Sequence, residues 1–274
     1  MIRTLPQLPD IKEKIFMNNI DRVFSSGKAL IPFITAGDPS LDITEKLIYS
    51  IAKAGADLIE IGIPFSDPVA EGAVIQSASE RALISGTTTD RIFEMIKKVR
   101  EKCDIPLALM TYMNPIFTYG AERFMRNCSE YNVCCVIIPD LPFEEKDELK
   151  EYCEKYDIKL ISLIAPTSLE RISMISKEAE GFVYCVSSMG VTGVRNEITS
   201  NIGEMIKRVR AEKDIPCAVG FGISTPEQAG EMANVADGVI VGSAVMRIVA
   251  EYGENCIIPV SEYIRALKQA VKNA

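Results

Sequence analysis

Glu60 stands inside the run Leu58-Ile59-Glu60-Ile61, a single carboxylate among aliphatic neighbours at the end of a strand-like segment. A carboxylate held in apolar surroundings loses hydration, so its pKa rises and it can both donate and accept a proton near neutral pH. Glu71 follows in Pro64-Phe65-Ser66-Asp67-Pro68-Val69-Ala70-Glu71-Gly72, a stretch whose prolines and glycine argue against a helix. This loop springs from the strand that carries Glu60, so it is placed to fold back and offer a second carboxylate at the same end. Strand register could instead turn Glu60 outward to pair with a helix Lys or Arg. Glu71, taken alone, reads more readily as a solvated loop acid.

The chain contains no histidine, which removes Ser-His-Asp and Cys-His nucleophile pairs, histidine metal sites and every imidazole base. Carboxylates are left as the leading proton-transfer groups. Three glycine-bearing turns offer an anion site: Gly190-Val191-Thr192-Gly193, Gly220-Phe221-Gly222-Ile223-Ser224, and Gly242-Ser243-Ala244 opening a helix. Backbone N–H groups at such turns, and at a helix N-terminus, bind phosphate without a basic cluster. Phe33, Tyr112 and Tyr184 lie on strand patterns, either as core or as walls for a flat apolar ligand.

The elements that must position these residues alternate regularly. Apolar runs at Ala29 to Thr35, Asp57 to Ile61, Leu107 to Tyr112, Cys134 to Ile138, Lys159 to Ile164, Phe182 to Ser187, Cys217 to Phe221 and Gly238 to Val241 read as eight strands. They are continuous rather than alternating, as in a parallel sheet covered by helices. Helix boundaries are readable between them: Ser40 as a cap with Gly55 as a stop, and capping boxes at Thr167 with Glu170 and at Thr225 with Gln228. Eight β-then-α units without a linker predict an α/β fold, a single (β/α)8 TIM barrel domain over residues 1–274. An extra N-terminal helix, roughly Asp10 to Ser25, is expected to cover the barrel bottom. Glu94 to Arg100 with Asp104-Ile105-Pro106 recurs as Glu204 to Arg210 with Asp214-Ile215-Pro216, leading into strands three and seven, an echo of half-barrel symmetry.

Composition bounds the function classes. At 274 residues, 47% hydrophobic and 25% charged, the chain can bury a sizeable core. Its net charge of −8 has the wrong sign for nucleic acid or an anionic membrane surface. The eight cysteines form no C-x-x-C pair and read as small buried hydrophobes in a reducing compartment. No run approaches about eighteen uncharged apolar residues, so a soluble, cytoplasmic protein is expected.

These residues resemble the α subunit of tryptophan synthase. Pro32-Phe33-Ile34-Thr35-Ala36-Gly37-Asp38-Pro39 is similar to that family's first-strand motif, and Glu60-Ile61-Gly62-Ile63-Pro64-Phe65-Ser66-Asp67-Pro68, with Ala70, Gly72, Ile75 and Gln76, to its signature. Gly190 to Gly193 and Gly220 to Ser224 match two later motifs, so the resemblance runs from about residue 14 to 250. It implies a metal-free lyase of tryptophan biosynthesis that cleaves indole-3-glycerol phosphate to indole and glyceraldehyde 3-phosphate. The implied partner is a β subunit in an α2β2 complex, with pyridoxal phosphate in that subunit and no cofactor in this chain. By the same resemblance Glu60 is the general acid/base and Glu71 the second catalytic carboxylate. Phe33, Ile75, Tyr112, Tyr184 and Thr192 fall at or beside the indole pocket, and Thr192 is set against Glu71. Gly193, Phe221, Gly222, Gly242 and Ser243 fall on the phosphate cradle, and Pro64 and Asp67 on the surface that meets the partner.

One departure lies within the signature. Where the family reads Ala-Asp-Gly-Pro, this chain reads Ala70-Glu71-Gly72-Ala73, so the second carboxylate sits on an arm one methylene longer. A misplacement of about 1 Å can lower a rate on the order of a hundredfold. On sequence grounds, restoring Asp at position 71 is therefore expected to raise turnover. The departure keeps open a ligand-binding module of weak catalysis that activates a β-type subunit; a free-standing indole-releasing lyase of the same chemistry is the other alternative.

Overall fold

The computed structural model describes residues 19–166, 169–186, 195–220 and 222–274. Eight parallel strands, β1 (Ala29–Thr35), β2 (Ile59–Gly62), β3 (Leu107–Met110), β4 (Val133–Ile137), β5 (Lys159–Ile164), β6 (Val183–Val186), β7 (Cys217–Gly220) and β8 (Gly238–Val241), close into a barrel in chain order. β8 pairs back on β1 through Ala29 with Gly238 and Pro32 with Val241. The (β/α)8 fold expected from the alternation of patterns is the fold observed.

Strand alternation divides the core into two layers. Ala29, Ile31, Leu58, Ala108, Ile161 and Phe182 belong to a cluster inside the barrel, and a larger cluster lies between the strands and the surrounding helices. The helix Asn19–Ser25 adds Ile20 and Val23 to the inner cluster, and the Phe24 ring lies 5.6 Å from that of Phe182. It stops the barrel bottom as expected; the earlier part of the expected helix lies outside the described residues.

Strand ends differ from the reading of the sequence by one or two residues at β2, β3, β4 and β6, and at two of them the reason is identifiable. β3 was expected to run to Tyr112 but ends at Met110. The Met113 N–H donates to both carboxylate oxygens of Asp140 (3.0 and 3.2 Å), and the helix Met113–Tyr119 begins there. Asp57 precedes β2 rather than opening it, its carboxylate accepting from Leu30 N (2.7 Å) and from Lys268 Nζ (2.6 Å). The caps fare better. Ser40 accepts from Ile43 N, Gly55 ends the helix Leu41–Ala54 in the left-handed region at φ 107°, and Thr225 with Gln228 forms a complete capping box. Thr167 lies outside the described residues.

The internal repeat has a structural counterpart. The helices Thr89–Arg100 and Arg195–Glu212 lead into β3 and β7, which stand across the barrel from one another. Arg100 donates to the carbonyls of Ile105, Tyr131 and Asn132, while Arg210 grips the Asp237 carboxylate, so each arginine fastens a helix end to the starts of neighbouring strands. All eight cysteines are free thiols, and all but Cys103 are buried. Among the described residues no helix is long and apolar enough to cross a membrane.

A bidentate ion pair braces the open end of the barrel. Asp38, almost fully buried just after β1, accepts from Arg81 Nε (2.8 Å) and an Arg81 terminal nitrogen (2.7 Å) on the helix Ala73–Ile84. A planar guanidinium meeting both carboxylate oxygens is the arrangement that best repays burial of the charge. It ties the β1 end to the helix that follows the Glu71 loop.

Candidate active site

Glu60 has the strand parity of Leu58, a residue of the inner cluster, and it pairs in register with Phe33 on β1 and Ala108 on β3. The side chain is therefore turned into the barrel, near its carboxyl end, and is 1% exposed. Its Oε2 has no hydrogen-bond partner. Burial, reinforced by the charge of Glu71, pushes the carboxyl pKa up to about 8.

Glu71 joins it from the loop. No helix forms until Ala73, and the chain between Ile63 and Gly72 folds back so that the second carboxylate acts electrostatically on the first. Glu71 is partly buried, its Oε2 also lacks a partner, and burial raises its pKa to about 7 against the opposing pull of the Tyr112 hydroxyl. Two ionised carboxylates this close repel each other, so near neutral pH the pair retains a proton. The solvated-acid reading of Glu71 does not fit this burial.

The aromatic residues line the same space. The Phe33 ring occupies the room left by Gly62 and Gly242: a Cβ at Gly62 would collide with it, and one at Gly242 would lie 3.3 Å from Phe33 Cβ. Tyr184 fills the room left by Gly220, and burial together with the Glu60 charge drives its phenol well above the ordinary range. Tyr112, 1% exposed, receives the Ala70 N–H on its hydroxyl (3.2 Å). Ile75 stands buried in the first turn of the helix Ala73–Ile84. Thr192 lies outside the described residues.

Sequence reasoning missed Thr35. It continues the inward parity of Phe33 at the end of β1, is 1% exposed, and its Oγ1 has no partner. A buried hydroxyl left unsatisfied beside two unsatisfied carboxylates marks a place where a polar ligand group belongs. Counting by twos from Phe33 would have found it.

On the β7–β8 side the described residues include two of the glycines expected to form an anion cradle. Gly222 follows β7 with φ 74°, a conformation in which an L side chain is strained, and Gly242 caps the helix Ser243–Tyr252. Free first-turn N–H groups there favour an anion. Gly193 and Phe221 lie outside the described residues. Gly222→Ala is expected to weaken binding of glycerol phosphate, a substrate-sized phosphate probe, by about fivefold, corresponding to about 1 kcal/mol for a left-handed L residue. Calorimetric titration checks this; unchanged affinity would place the anion elsewhere.

Pro64 is buried at the root of the loop, whereas Asp67 is exposed and accepts from Ser66 Oγ. Beyond them the loop displays Val69, 80% exposed, and the neighbouring helix displays Phe117, 59% exposed. Nearby, Phe65, Asn114, Pro115 and Thr118 line a groove whose other wall is Thr88 to Asp90.

Comparison with known proteins agrees with this geometry. Residues 22–272 match the family model described as tryptophan synthase alpha chain. A tryptophan synthase alpha chain from Lacticaseibacillus casei is 42% identical over 257 residues, spanning 94% of this chain and 97% of the relative. One from Citrifermentans bemidjiense is 47% identical over 246 residues, spanning 89% and 92%. Among solved structures, the alpha subunit from Legionella pneumophila superposes with a TM-score of 0.86 at 36% identity, covering 94% of this chain and all of that one. A structure described as the tryptophan synthase α2β2 complex of Pyrococcus furiosus contributes a chain that superposes at 0.81 with 35% identity, covering 89% and 99%.

Proposed function

The chain belongs to the tryptophan synthase alpha chain family, lyases that cleave indole-3-glycerol phosphate to indole and glyceraldehyde 3-phosphate, and we propose that Glu60 and Glu71 carry that cleavage here. The observation behind the proposal is the pair itself: two carboxylates at one barrel end, each with an unpartnered oxygen and each raised toward neutral pKa by burial.

Retro-aldol cleavage needs three services. The ring carbon that bears the side chain must gain a proton, the adjacent glycerol hydroxyl must lose one, and the positive charge that gathers at the ring nitrogen must be supported. Glu60, with a pKa of about 8, is protonated near neutral pH and can supply the first proton. The carboxylate so formed then takes the hydroxyl proton, the carbon–carbon bond breaks, and its electron pair returns to the ring. Glu60 ends as it began. Glu71, as the ion, accepts the ring N–H and stabilises the charge in surroundings too dry for water to do so.

The rest of the site divides the substrate between its two ends. Phe33, Ile75 and Tyr184, with Tyr112 adjoining, form the wall for the indole ring. Gly193, Phe221, Gly222, Gly242 and Ser243 are the residues proposed to hold the phosphate through backbone donors, and Thr192 is the one the family resemblance sets against Glu71. The Thr35 hydroxyl is placed to meet the glycerol portion.

The proposed partner is a β subunit carrying pyridoxal phosphate, seated on the surface that includes Asp67, Val69 and Phe117. Exposed apolar side chains such as Val69 and Phe117 are the composition expected of such a contact. We place the protein in the cytoplasm, where its free thiols stay reduced. Indole release from indole-3-glycerol phosphate, assayed with and without a β subunit, tests the reading. Release that rises with the partner is expected; ligand binding without release under either condition would leave only a binding module.

A further inference from the structure

We propose that Tyr112 is a positioning residue for this lyase, clamping the 64–72 loop at both ends and fixing the Glu71 carboxylate through its hydroxyl. The proposal rests on the role given to Glu71 above and adds a function for a residue otherwise read as pocket wall.

Tyr112 is held before it holds anything else. It follows β3, caps the helix Met113–Tyr119, and is anchored by the adjoining Met113 N–H on the Asp140 carboxylate. Its ring lies against Phe65 at the start of the loop, with centroids 5.4 Å apart and planes at 36°. Its hydroxyl accepts from Ala70 N at the far end. A phenol is both acceptor and donor, so with the Ala70 N–H on its oxygen its hydrogen is free for Glu71. Donated to the neighbouring carboxylate, that hydrogen would oppose the effect of burial on Glu71 and favour the ionised form. The acids facing this group are Glu71 and Asp140 around the phenol, and Glu60 beyond, itself neighboured by Cys135 and Tyr184. A ring that served only as wall would not need the Ala70 contact, and phenylalanine would suffice.

Tyr112→Phe keeps the ring on Phe65 and removes only the hydroxyl. The expected result is a kcat about tenfold lower near neutral pH with KM changed less than about twofold. The acid limb of the kcat–pH profile should move up by about one pH unit, because ionised Glu71 loses its donor. In a Glu71→Gln background the same substitution should cause no further loss, since Tyr112 acts through Glu71. An unchanged pH profile, a loss confined to KM, or a full additional loss in the Gln background would each overturn the clamp. A slow Glu71→Gln enzyme beside a normal Tyr112→Phe enzyme would sink the clamp alone; a normal Glu71→Gln enzyme would sink both it and the assigned role of Glu71.

Discussion

Replacing Glu60 with Gln is expected to lower indole release by about a thousandfold or more, the scale of a lost general acid–base group. The amide keeps the volume and polarity of the side chain but can neither deliver a proton to the ring carbon nor retrieve one from the hydroxyl. Affinity for glycerol phosphate should stay within about twofold, because Phe33, Gly62 and Gly242 pack as before. The same variant should be the more stable protein. The carboxyl pKa rises from 4.5 to about 8 on folding, so the folded chain holds a proton that the unfolded chain has released between those values. Stability is then fully present below pH 4.5 and falls as pH rises through about 8. The amide of the variant has no charge to bury, and above that range Glu60→Gln should gain on the order of 3 kcal/mol in urea unfolding. An inactive variant with no gain in alkaline stability would mean that Glu60 is not buried as a charge; full turnover in a folded variant would mean that it is not the proton carrier.

Glu71→Ala is expected to lower kcat by at least about tenfold with little change in KM, as for one electrostatic contact made chiefly in the transition state. The Asp variant carries more information. Family pattern alone suggested that Asp would be faster, but the geometry argues for the opposite sign. The longer arm extends toward Tyr112 and the neighbourhood of Glu60 from a loop whose Ala70 N–H is already fixed on the Tyr112 hydroxyl and whose Glu71 carbonyl accepts from Gln76 Nε2 (2.8 Å). Shortening the arm by one methylene withdraws the carboxylate from both. Glu71→Asp should therefore be slower than the natural chain, by about tenfold, a displacement effect rather than a loss of charge. Steady-state kinetics on the two variants decides it: an Asp enzyme that outpaces the parent would show that the surroundings are not fitted to Glu71.

Glu60 was legible in the sequence because a lone acid inside an aliphatic strand has few reasons to be there. The barrel was legible because continuous apolar runs leave little but a covered parallel sheet. The end of β3 was not, because it is set by Asp140 capturing an N–H from another segment, a contact that no local pattern announces. The same holds for Tyr112. Its strand pattern gave its place near the mouth, but its bond to Ala70 joins residues far apart in the chain. Asp57 misled for a related reason: its neighbours are strand-like, and its partner Lys268 sits at the other end of the sequence.

The loop that carries Glu71 is fastened at both roots. Gly62 lies in the β2 ladder between Thr35 and Met110, and beyond Gly72 the helix is bound through Arg81 to Asp38. A segment pinned in this way has surrendered most of its conformational entropy during folding, since closing a loop costs little more as it lengthens. Its remaining excursions belong to the nanosecond-to-microsecond range of loop motion. For an enzyme of ordinary speed, turning over about ten times a second, residual motion on that scale is averaged many times over between one catalytic event and the next.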